Sequence, residues 1–146
     1  METKITSQYL NKEQMVLFQQ YVEYCVRRFN LKKHGYRLKI SICKRIDVDE
    51  WGNCVFDDSK DYDKEIKIKV RFTKNVKKML TVLGHEMIHA RQYITGQLTF
   101  INNRAHWRGE NVHDMEYREQ PHEIEAFSLE KPLLEDFYKA RKKKTR

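Results

Sequence analysis

A chain of 146 residues, 40% hydrophobic and 34% charged, is long enough for one packed core and describes a soluble globular domain rather than a fibrous or membrane protein. No stretch approaches the roughly 18 consecutive apolar residues of a membrane span. The formal charge of +8 is uneven: the last eight residues, KARKKKTR, hold six basic side chains and no acidic one, which leaves a body of residues 1–138 close to balance and a basic tail over 139–146.

The N-terminus, METKITSQYLNKEQ, is polar and has no apolar h-region, so the expected location is the cytoplasm. Met15, Phe18, Val22, Cys25, Val26 and Phe29 recur at three- and four-residue spacing, predicting an amphipathic helix over about 12–29 with Asn11 as its cap and Asn30 and Gly35 at its end. From Tyr36 to Cys43, Leu38, Ile40 and Ile42 alternate with Arg37, Lys39 and Ser41, the period of a half-buried strand. The segment DEWGNCVFDDSKDYDKE is rich in turn formers, with Cys54-Val55-Phe56 as a short candidate strand. Ile66, Ile68, Val70 and Phe72 then alternate with Lys67, Lys69 and Arg71, a second clear strand with lysines on its outward face. A helix follows over about 75–95, capped by Asn75 and stopped by Gly96. Residues 97–120 carry no regular period. Pro121 suits the first turn of a last helix through Ala126, Phe127, Leu129, Leu134 and Phe137, which Pro132 should kink or interrupt. The order predicts a single α+β domain: N-terminal helix, small sheet, central helix, C-terminal helix.

The central helix contains His85-Glu86-Met87-Ile88-His89. Histidines at i and i+4 share one helical face a turn apart, so both imidazoles can reach one ion. Glu86 adjoins the first and can face the same site without ligating, placed to take a proton from water. Val82, Leu83, Met87 and Ile88 surround the motif with apolar side chains, where two histidines and a glutamate are costly without a partner. A metal supplies one. The three cysteines, Cys25, Cys43 and Cys54, form no C-x-x-C pair, and in a reducing compartment read as buried thiols, not as a zinc ribbon.

A catalytic zinc takes a third protein ligand and leaves a position open for water. Glu123, Glu125, His122, His106 and His113 are the candidates. Glu123 opens the last helix on the same face as the small Ala126, which suits an inward carboxylate, and is the preferred ligand. Glu125 lies about 160° further round, so one of the two is left to act behind the ligands or to face water. His106 follows His89 by 17 residues, beside Trp107, and His122 adjoins Glu123. Tyr117, Tyr93 and Arg108 could meet a substrate carbonyl or oxyanion. His34 sits in a turn.

With these residues in place, the chain resembles minimal zincin-like metallopeptidases. An H-E-x-x-H helix followed by a helix reading E-x-E-A is similar to the gluzincin arrangement, whose first downstream glutamate, here Glu123, is the third ligand. More narrowly, GHEMIHARQYITGQL, then Trp107-Arg108-Gly109, then PHEIEAF resembles small metallopeptidase-like proteins common in phage genomes, which carry an aromatic where this chain has His122. That resemblance spans roughly residues 64–130 and implies a host-cytoplasm location. A second, more distant likeness is to SprT-like domains, similar to proteases acting on DNA-bound proteins. Their third histidine lies in an H-G-x-x-W segment, whereas here the string is His106-Trp107-Arg108-Gly109, and their cysteine ribbon is missing.

The function expected is zinc-dependent hydrolysis of peptide bonds in a protein or peptide substrate, with Glu86 as general base and Zn2+ as the cofactor. The alternatives are a non-catalytic zinc-stabilised domain that binds nucleic acid or a protein partner through its basic tail, and a SprT-like protease on DNA-bound proteins.

Overall fold

A computed structural model describes residues 1–47, 50–57 and 64–144; most of the turn-rich segment after β3 and the last two residues lie outside the described residues. The elements run β1 (Glu2–Thr6), α1 (Lys12–Arg28), β2 (Arg37–Cys43), β3 (Gly52–Asp57), β4 (Glu65–Arg71), α2 (Val76–Ile94), β5 (Leu98–Ile101), β6 (Arg104–Trp107), β7 (Glu110–Asn111) and α3 (Pro121–Lys144), with 3-10 turns at Lys32–His34 and Tyr117–Glu119. This is an α+β domain with one main core.

Four strands form a mixed sheet in the order β1-β2-β4-β3. β1 and β4 both pair with β2 in parallel, and β3 closes one edge antiparallel to β4. The alternation in β2 and β4 puts Leu38, Ile40, Ile42, Ile66, Ile68 and Val70 on one face, all buried. Onto that face pack Phe18, Tyr21, Val22 and Cys25 of α1, and Leu80, Leu83, Met87 and Ile88 of α2. Ala126, Leu133, Leu134 and Phe137 of α3 complete the core.

Helix ends follow the side-chain chemistry. Asn11 accepts from the Gln14 backbone N–H while Gln14 reaches back to Asn11, a reciprocal cap for α1. Asn75 accepts from Lys78 N–H at the start of α2, and Gly96, with φ 78°, follows its last turn in the left-handed conformation a glycine adopts without strain.

Three elements differ from the sequence expectation. β1 adds a strand that the polar N-terminus conceals, because an edge strand needs only backbone pairing and one inward side chain, Ile5. Residues 97–120, without a visible period, hold the three-stranded sheet β5-β6-β7, whose hairpin turns at Asn102-Asn103, both with positive φ. Pro132 does not interrupt α3, which runs unbroken to Lys144 and carries most of the basic run as its last turns. Proline removes the N–H that would bond the carbonyl of residue 128, and Ser128 and Pro132 both lie on the exposed face of the helix, where the loss costs less than in the core.

One close approach sets the helix spacing. A Cβ on Gly84 of α2 would run into the Tyr21 hydroxyl of α1 and meet Leu133 Cδ2 of α3 at 3.5 Å. Glycine immediately before His85 therefore lets all three helices converge. Gly84→Ala should cost about 1–3 kcal/mol in denaturant unfolding despite alanine's helix preference. In a Tyr21→Phe background, which removes the obstructing oxygen, the same substitution should cost measurably less.

Candidate metal centre

α2 is buried over most of its circumference, and His85, Glu86 and His89 are 7%, 6% and 6% exposed. The two imidazoles stand a turn apart with ring centroids 4.8 Å apart and planes at 85°. Against them α3 brings Glu123 from its first turn. Glu123 Oε1 lies 3.0 Å from His85 Nε2 and 3.0 Å from His89 Nε2. One ligand atom from each of these residues lies within 4.8 Å of the others, the spacing of a group able to hold one metal ion. Among the described residues, no other cluster of three such side chains occurs.

The surroundings fix the tautomer of one ring. Gln92, fully buried, donates both protons of its amide nitrogen, one to the His122 carbonyl at 3.0 Å and one to Glu125 Oε1 at 3.1 Å. Its oxygen therefore faces His89 Nδ1, at 2.7 Å, and that nitrogen must carry the proton. Glu125 is anchored in turn by Arg91 at 3.0 Å. With Nδ1–H committed, the neutral His89 ring turns a lone pair at Nε2 toward a carboxylate oxygen. Two acceptors so placed demand a proton or a cation between them, and a metal ion fits that demand. Behind His85, Glu130 Oε1 lies 3.9 Å from Nδ1.

The two carboxylates beside the histidines are driven in opposite directions. Burial pushes Glu86 up to about 7, against the opposing pull of His89 and His85. Glu123 resists its own burial because hydrogen bonds from both histidines hold its carboxyl well below the usual range. Burial would depress His89, but its bond to Glu123 and the charge of Glu86 outweigh that and hold it above the ordinary histidine value. His122, next to Glu123, is depressed by burial.

Glu86 and His85 line a cleft of about 570 Å³ together with Glu50, Trp51, Gly52, Tyr117, Arg118, Phe127 and Glu130. Gly52, at the head of edge strand β3, lets the strand pass close to α2: a Cβ there would lie 2.6 Å from Val82 Cγ1 and 3.2 Å from Glu86 Cγ. Tyr117 lies on the cleft wall, its hydroxyl raised by burial and by Glu123.

Of the other candidates, Glu125 supports Gln92 and does not face the histidine pair. His106 sits on β6, with Nδ1 2.9 Å from the Arg104 carbonyl oxygen, and stands apart from the cluster. His122 faces the second oxygen of Glu123, Nε2 to Oε2 3.9 Å, and its buried Nδ1 has no partner. His113 is exposed, and His34 closes a 3-10 turn. Arg108 does not line the cleft: with φ 49° it turns the β6–β7 hairpin and stacks on Trp107, 5.4 Å from the ring centroid. Arg118 occupies the cleft wall instead, and neither it nor Gln92 carries a sequence signal of its own; only the i+3 spacing of Gln92 from His89 hints at contact. Tyr93 stacks on Phe56, centroids 5.5 Å apart, in a neighbouring groove.

Comparison with known proteins finds no matching family model, no matching curated protein and no matching solved structure. Among the described residues, no helix is long and apolar enough to cross a membrane.

Two outcomes follow from this arrangement. Gln92→Leu, which strips His89 Nδ1 of its acceptor, should lower Zn2+ affinity in calorimetric titration by about 10–100-fold while the protein stays folded. In chelated protein, Glu86 and His89 both have folded pKa values above their unfolded ones, so each contributes stability at low pH that is lost as pH rises through the folded value. Depressed His122 has the opposite sign below the ordinary histidine value, so the thermal midpoint of the chelated protein should fall between about pH 6.5 and pH 8, and Glu86→Gln should flatten that fall. With metal bound the trend should reverse, because ligation requires deprotonated imidazoles.

Proposed function

We propose that the protein is a zinc-dependent metallopeptidase of the zincin type. Three buried side chains, His85, His89 and Glu123, converge on one point, and among the described residues no fourth protein ligand joins them. That count is the observation that carries the reading, because structural zinc sites are closed by four protein ligands whereas catalytic ones keep a position open. Imidazole nitrogen and carboxylate oxygen without thiolate form a donor set suited to catalytic zinc. Zinc held there would polarise a carbonyl and acidify a water.

The chain's own groups supply the rest. Glu86 is buried at the wall of the cleft, where burial raises its proton affinity above that of an exposed carboxylate, as a group that both accepts and returns a proton requires. Its carboxylate takes a proton from the attacking water and delivers it to the nitrogen of the departing amine. Tyr117 and Arg118, which line the same cleft, offer donors to a carbonyl oxygen that gains negative charge. Edge strand β3 runs from this cleft, and among the described residues its outer side pairs with no strand, which suits an extended peptide backbone as substrate.

Glu86→Gln should keep one zinc per chain, measured by elemental analysis, and lower hydrolysis of a mixed quenched-fluorescence peptide library by about 10²-fold or more. Unchanged turnover in that variant would end the proposal.

A further inference from the structure

The described helices pack on one face of the four-stranded sheet, and the other face gathers cations. Lys4 of β1 stands opposite Lys39 of β2, which stands opposite Lys67 of β4. Neighbouring strands lie about 4.8 Å apart, so three ammonium groups share one row, an arrangement that like-charge repulsion disfavours. Along β4, Lys67, Lys69 and Arg71 point the same way at intervals of about 6.7 Å. Neutralisation is sparse. Glu65 alone serves both Lys39 and Lys67, at 3.2 and 3.5 Å, and among the described residues no carboxylate pairs with Lys4 or Lys69. The track ends on Trp51, 42% exposed, whose ring lies 5.0 Å from both the Arg71 guanidinium and the Lys78 ammonium.

We propose that this face binds single-stranded nucleic acid, with phosphates along the Lys4–Lys39–Lys67–Lys69 track and a base stacked on Trp51. An in-register row of three lysines in which Lys39 and Lys67 share the single carboxylate of Glu65, with Lys69 beyond it, carries excess positive charge that a polyanion relieves, and its binding releases condensed counterions. The exposed indole at the end of the track selects a single strand, because a duplex hides the faces of its bases whereas a single strand can offer one for stacking. Trp51 also lines the cleft beside Glu86, so a bound strand reaches the mouth of the metal site. Binding itself needs no metal. The basic run at the end of α3 lies on a different element, and Arg141 there covers the Phe137 ring at 5.6 Å.

The test is fluorescence anisotropy of a labelled 20-nucleotide oligothymidylate against the full chain over a salt series. The expected result is affinity that falls linearly with log salt. Lys39→Gln/Lys67→Gln/Lys69→Gln should weaken binding at least tenfold and reduce the slope by about 2, as three lost phosphate contacts require. Lys4→Gln/Lys69→Gln, which breaks no ion pair, should act in the same direction with a slope change of about 1.4. Trp51→Ala should cost about fivefold or more with the slope unchanged, the effect of one stacked base. Lys142→Gln/Lys143→Gln should stay within twofold. The proposal is overturned by no binding at low salt, by equal loss in the α3 variant, by a duplex of the same length binding as tightly, or by polyglutamate displacing the oligonucleotide at equal charge concentration.

Discussion

One carboxylate oxygen, Glu123 Oε1, stands 3.0 Å from two imidazole nitrogens, and the helices are arranged around that contact. It joins the middle of α2 to the first turn of α3 in a buried interface that Gln92, Arg91 and Glu125 also cross, where unpaired polar groups cost several kcal/mol each. Everything near it serves to make the contact tolerable. Gly84 lets α1 and α3 close on α2 without displacing His85. Gln92 and Glu125, held by Arg91, orient His89 from behind.

The same burial gives two neighbouring glutamates different characters. Glu123 receives bonds from both rings and is held as an anion, which is what a cation ligand must be. Glu86, a residue away from His85 but without those bonds, is pushed toward neutrality by burial. Environments that drive two carboxyl groups apart in this way separate a ligand from a proton carrier. The division follows from helix geometry: Glu123 enters from α3 directly at the Nε2 atoms, while Glu86 projects from α2 toward the cleft wall beside Gly52.

Strict periods were legible in the chain. β2, β4 and α1 each bury one face against the core, so their apolar spacing declared their type, whereas α2 is buried on most sides and its limits were marked by Asn75 and Gly96. β1 and β5 to β7 were not, because strands of two to five residues with mostly exposed side chains leave no alternation to read, although Asn102-Asn103 and Gly109 mark their turns. Glu123 could be singled out by its place in the first turn of a helix with a small inward neighbour. Gln92 could not, since an amide in mid-helix becomes informative only when α3 sets the His122 carbonyl and Glu125 opposite it. Arg108 stands out in the sequence as a candidate substrate contact, whereas Arg118, which carries no signal, is the arginine that lines the cleft. Arg108 is taken up by the β6–β7 turn and Arg118 sits in the 3-10 turn Tyr117–Glu119 before α3, and neither turn lies in a segment with a visible period.

Zinc K-edge X-ray absorption on the protein loaded with one equivalent of Zn2+ tests the centre most directly, since it counts imidazoles and distinguishes oxygen or nitrogen from sulfur. Two imidazoles, one carboxylate and one further light scatterer from solvent, with Zn–N and Zn–O distances near 2.0–2.1 Å, are expected. A third imidazole, or sulfur near 2.3 Å from a cysteine such as Cys54, would contradict the assignment of Glu123 and of the open position.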